Sequence, residues 1–110
     1  MSINARVKGL LGQLAPGAAS LEELYVVPAG KTATVHVIIC NRGASTSFRV
    51  AGAVDGAVDD VKQYIAYDKI IAAQDTGTTV EFELGADDKV RVYAGSANLS
   101  FTCTGTEEYE

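Results

Sequence analysis

Apolar and polar side chains take turns along most of this chain. In TATVHVIIC, residues 32–40, Ala33, Val35, Val37 and Ile39 point one way, and Thr34, His36, Ile38 and Cys40 point the other. A period of two is the signature of an extended strand with one face in the core. The same alternation sets Phe48 and Val50 against Ser47 and Arg49, and Val80, Phe82 and Leu84 against Thr79, Glu81 and Glu83. It then sets Val90, Val92 and Ala94 against Lys89, Arg91 and Tyr93, and Leu99, Phe101 and Cys103 against Ser100, Thr102 and Thr104. KQYIAYDKII, residues 62–71, is less regular, with Tyr64 and Ala66 opposing Ile65 and Tyr67, and suits a strand between layers or at an interface.

Turn-forming residues separate these runs: Pro28-Ala29-Gly30, Asn41-Arg42-Gly43, Asp59-Asp60, Thr76-Gly77, Asp87-Asp88 and Gly95-Ser96-Ala97-Asn98. Ser20 followed by Glu23 has the spacing of a helix capping box. Val26, Val27 and Pro28 arrive too soon for a useful helix, so LEELYVV reads as a strand. The opening ARVKGLLGQLAPGAAS also reads as extended, since Gly9 and Gly12 disfavour a helix. Seven or eight short strands without a convincing helix predict an all-β fold. The expected form is a single antiparallel β-sandwich, jelly-roll or Ig-like, with a compact β-barrel as the alternative closure. Residues 1–106 would form the domain and residues 107–110 a short acidic end, with TEEYE straying from the body.

Composition narrows the function. A length of 110 residues suffices for one domain with its own core. The net charge of -5 disfavours nucleic acid, which demands a concentrated basic footprint. No apolar stretch is long enough to span a membrane as a helix. MSINARVKG lacks the basic-then-apolar order of a signal peptide, so export by that route is not expected. Cys40 and Cys103 stand 63 positions apart and form no local metal knuckle; they are either separate thiols or one structural disulfide pair.

Candidate chemistry is thin. His36 and Cys40 share a face but lie about 13 Å apart along an extended strand, too far to act as a pair. Asp55, Asp59 and Asp60 do not follow the spacing of a calcium loop, and no metal or cofactor is expected. Glu81 and Glu83 share a face at a separation a glycosidase could use. Lys89 and Arg91 would neutralise them if residues 79–83 and 89–93 form a hairpin. With no tryptophan present, aromatic contacts fall to tyrosines such as Tyr25, Tyr64, Tyr67 and Tyr93.

The stretches LYVVPAGKTATVHVIICNRGASTSFRV, KQYIAYDKIIAAQDT and DKVRVYAGSANLSFTCTGTE resemble a group of small structural proteins encoded by tailed bacteriophages. Leu24-Tyr25, Pro28-Ala29-Gly30, Cys40-Asn41-Arg42-Gly43, Phe48-Arg49, Tyr64, Tyr67-Asp68 and Val90-Arg91-Val92-Tyr93 carry the resemblance, which runs over nearly the whole chain. Cys103 and the acidic end depart from it. The resemblance implies a non-enzymatic virion protein assembled in the host cytoplasm, with no catalytic residue to carry over. Its partners would be the major capsid protein or tail proteins of the same virion, together with self-association, and neither nucleic acid nor membrane. Capsid decoration or stabilisation is the leading expectation; a tail-associated module binding carbohydrate or the host surface is the alternative. The expected contact residues are Tyr25, Arg42, Tyr64, Tyr67, Asp68, Tyr93, Glu107 and Glu108.

Overall fold

A computed structural model describes residues 7–110. The first six residues of the expected domain, and most of the segment read against a signal peptide, lie outside the described residues. Among the described residues nine strands form: β1 (Val7–Leu14), β2 (Leu21–Val26), β3 (Lys31–Asn41), β4 (Thr46–Ala53), β5 (Tyr64–Ile71), β6 (Thr76–Thr78), β7 (Phe82–Leu84), β8 (Lys89–Ala94) and β9 (Leu99–Tyr109). Two short 3-10 turns, Val54–Gly56 and Val61–Gln63, interrupt the β4–β5 connection. The fold is all-β.

The strands make two antiparallel sheets. One runs β1-β9-β3-β6, with β7 also pairing β3, and the other runs β2-β8-β4-β5. With β6 and β7 counted as one interrupted strand, this is the strand order of a jelly roll, in which a long hairpin wraps over itself. Most connections therefore cross from one sheet to the other, and sequence neighbours seldom pair. The wrap overturns the expected hairpin between residues 79–83 and 89–93: β7 pairs β3, while β8 lies in the other sheet between β2 and β4.

The long β3–β9 pairing, in register from Lys31↔Tyr109 to Asn41↔Leu99, supplies one wall of the core. Val35, Val37, Ile39, Leu99, Phe101 and Cys103 point inward from it and are almost wholly buried. Phe48, Val50, Val90, Val92 and Ala94 face them from β4 and β8. The Phe48 and Phe101 rings meet edge-on across the two layers, with centroids 6.4 Å apart. Alternation at these strands is as the sequence predicts.

It breaks where the register slips. A shift between Glu23 and Tyr25 lets consecutive Leu24 and Tyr25 both turn inward. Val80, expected beside Phe82 and Leu84, lies in the gap between β6 and β7 and is 71% exposed. Thr76-Gly77, expected as a break, is strand; the chain turns just before it, where the Asp75 amide donates to the Ala72 carbonyl at 3.2 Å. Pro28-Ala29-Gly30 turns as expected, with the Lys31 amide donating to the Pro28 carbonyl at 3.2 Å and Gly30 at φ 76. Asn41 knits one end of the molecule: its Nδ2 donates to the Ala44 and Ala72 carbonyls at 2.9 and 3.0 Å.

The acidic end does not stray. β9 continues to Tyr109, and Glu107 continues the inward parity of Phe101 and Cys103. Gly105 lies at the same parity, where a Cβ would come 1.9 Å from the Thr34 carbonyl oxygen of β3. Gly105→Ala is therefore expected to force β9 away from β3, lowering stability by at least about 2 kcal/mol, toward the top of the overpacking range. Urea unfolding monitored by circular dichroism measures it.

Candidate interaction surface

The irregular strand β5 builds a cluster on the outer face of its sheet. β4 meets β5 at Phe48↔Lys69 and next at Val50↔Ala66, so Arg49 is opposed by two residues, Tyr67 and Asp68. This is a β-bulge, and Asp68 adopts φ 48 within it. Both bulged side chains turn to Arg49. Its Nε donates to Asp68 Oδ1 at 2.6 Å and its Nη2 to Asp68 Oδ2 at 3.2 Å. The Tyr67 ring lies 4.3 Å from the guanidinium carbon.

On the other side of β4, Arg49 is in register with Tyr93 of β8, whose ring lies 4.4 Å from the same carbon. The guanidinium is thus stacked between two aromatic rings and clamped in its own plane by a carboxylate. Tyr64 completes the group, packing edge-on to Tyr67 at 4.9 Å and donating its hydroxyl to Asp59 Oδ1 at 3.0 Å. The alternation placed Tyr64 and Tyr67 on opposite faces; the bulge puts them on one. Partial burial, then the Asp59 hydrogen bond, push the Tyr64 hydroxyl above its ordinary pKa.

Four of the expected contact residues, Tyr64, Tyr67, Asp68 and Tyr93, therefore converge on Arg49, an outward residue of its strand that carries part of the resemblance but is not among the expected contacts. Its importance depends on lying between β5 and β8, a sheet order the local pattern does not contain. The ion pair is solvent-exposed and contributes little to folding. Its effect is to hold long side chains in one arrangement.

The other expected contacts lie elsewhere. Arg42 is exposed at one end of the molecule, donating to Ser100 Oγ at 3.1 Å and to the Ala97 carbonyl at 3.2 Å. Glu108 is exposed on β9 opposite Thr32. Tyr25 and Glu107 are buried at 8% and 7% exposure, so neither is a docking side chain. Instead the Tyr25 hydroxyl donates a short hydrogen bond to Glu107 Oε2 across the two sheets. Lys31 Nζ lies 3.7 Å from Glu107 Oε1.

Cys40 and Cys103 are both free thiols. Cys103 opposes Val37 on the core face, whereas Cys40 opposes Ser100 on the outer face three rungs away. That is about 10 Å along the strand and on the wrong side, beyond the reach of a disulfide. His36 lies on the outer face opposite Thr104. Glu81 and Glu83 are exposed at the β6–β7 edge. Lys89, their expected partner, pairs with Glu23 at 3.0 Å, and Arg91 donates to the carbonyls of Ala57 and Gly56 at 2.8 and 3.1 Å. Among the described residues no three His, Cys, Asp or Glu side chains are grouped to hold a metal. Compared with protein-family models, curated proteins and solved structures, the chain finds no match.

The buried pair makes stability depend on alkaline pH. Burial, followed by the charge of Glu107, pushes the Cys103 thiol up to about 12. Burial and the Glu107 hydrogen bond raise the Tyr25 hydroxyl well above its ordinary value of 10.0. The folded state holds both protons more tightly than the unfolded chain. The Cys103 contribution is complete below the ordinary thiol pKa of 9.0 and is lost as pH rises to about 12, while that of Tyr25 begins to fall above 10.0 and continues to fall beyond that window. Urea midpoints are expected to fall across that window, and Cys103→Ala is expected to flatten the lower part of the fall.

Proposed function

We propose that this chain is a non-enzymatic structural protein of a bacteriophage virion, decorating or stabilising the capsid through repeated protein–protein contacts. One observation carries the reading: the outward residues of the resembling stretches, Arg49, Tyr64, Tyr67, Asp68 and Tyr93, come from three strands and form one surface. Tyrosine and arginine dominate the energetics of protein interfaces, because they offer large contact area together with polar tips. Here the cluster is assembled before any partner arrives, so little side-chain freedom is lost on contact. Capsid symmetry would then repeat the contact many times, and avidity would raise modest affinities.

The arrangement favours a protein partner over a sugar. A carbohydrate platform offers an open ring face, whereas the faces of Tyr67 and Tyr93 turned toward Arg49 are filled by the guanidinium. A catalytic reading is weaker, since His36 and Glu81 lie on the outer face of their sheet and of the three only Glu83 borders a hollow.

Electron microscopy of particles of the phage that encodes this chain tests the proposal. Density at regularly repeated shell positions is expected, and density confined to the tail would overturn it. Arg49→Ala and Tyr67→Ala, folded by circular dichroism, are each expected to weaken particle binding tenfold or more, the effect of about 1.4 kcal/mol. Unchanged binding by both would remove this face as the contact.

A further inference from the structure

The second bulge of β5 opens a different surface. Val50↔Ala66 is followed by Ala51↔Tyr64, which leaves Ile65 as the extra residue, displaced to the edge of its sheet. β5 is one boundary of a flank where the two sheets do not meet; the interrupted β6–β7 edge is the other. Between them lie adjoining hollows that make up one groove-like flank, with Ile65, Phe82 and Leu84 lining the middle one and Phe48, Ile65 and Val80 the next. Toward the 3-10 turns it continues to Val54 and Gln63. The opposite flank is shut, because Gly12 of β1 has no Cβ where one would lie 2.5 Å from the Leu24 carbonyl of β2.

Two features of the groove point to an occupant. Its apolar side chains stand out: Val54 is 74% exposed and Val80 71%. Charge divides across the groove as well. Lys62 and Lys69 lie on the β5 side and Glu81 and Glu83 on the β6–β7 side, all exposed and without an ion pair among the described residues.

We propose that this groove is the interface with a second copy of the chain. When two copies meet face to face about a twofold axis parallel to the strands, β5 of one lies opposite β6–β7 of the other. Each basic rim then meets an acidic rim, and the apolar floors close on one another. The contact is made by side chains rather than by a continuous sheet. β5 is doubly bulged, and β6–β7 breaks where Thr79 takes over, its Oγ1 accepting from the Val37 amide at 3.0 Å. Irregular edges of this kind block strand addition. The proposal deepens the structural reading above by naming one partner, and its test needs no virion.

Sedimentation equilibrium of the full chain at low ionic strength is the experiment. A concentration-dependent dimer is expected, with Val80→Asp weakening it tenfold or more while the circular dichroism stays native. Lys62→Glu/Lys69→Glu makes both rims acidic and Glu81→Lys/Glu83→Lys makes both basic, so each variant alone is expected to be monomeric. Mixed, the two are expected to associate one to one, because opposite charges now meet along both sides. A monomer at every concentration, another stoichiometry, an association that Val80→Asp leaves unchanged, or a mixture that stays monomeric overturns the proposal. Failure here leaves the particle experiment unaffected, and a tail location would leave this dimer intact.

Discussion

Everything in this molecule hangs on the burial of one apolar face along β3 and β9. Their eleven paired positions, from Lys31↔Tyr109 to Asn41↔Leu99, hold Val35, Val37, Ile39, Phe101 and Cys103 against β4 and β8. A one-residue slip would turn every one of these side chains toward water, so register and burial enforce each other. Because this pair spans the molecule, the edge strands are released from carrying the core. They can be irregular at small cost.

β1 and β2 each slip once, and β5 uses that freedom most. β5 carries two bulges, and each exports side chains that a regular strand would have aligned with its neighbours. The first gives Arg49 both Tyr67 and Asp68; the second displaces Ile65 into the open flank. The same irregularities keep the edge from recruiting foreign strands. The proposed contact surface and the protection against unspecific strand pairing thus have a common origin. The two surfaces differ in chemistry, one aromatic and cationic, the other apolar with charged rims, which suits them to different partners.

How much of this the residues reveal by themselves follows from the range of each interaction. The inward sets of β3, β4, β8 and β9 are local, period-two information, and they can be read directly. The strand LEELYVV was legible for the same reason, against a misleading capping signal. Glu107 was misread because its charge masked its parity: it follows Phe101, Cys103 and Gly105 inward, and what makes its burial tolerable, the Tyr25 hydroxyl, lies 82 positions away. The supposed 79–83 and 89–93 hairpin failed because a jelly-roll wrap sends successive strands to opposite sheets. Arg49 was visible as an outward residue, but its position between Tyr67 and Tyr93 required both the sheet order and the bulge.

Covalent side-chain footprinting of the chain, free and mixed with particles of the proposed phage, tests most directly the proposal that the bulged sheet face is the working surface. The account predicts that Tyr67 and Tyr93 lose reactivity on assembly while the Cys40 thiol, on the outer face of the other sheet, keeps it. Tyrosines that stay as reactive as in the free chain, with Cys40 protected instead, would contradict it.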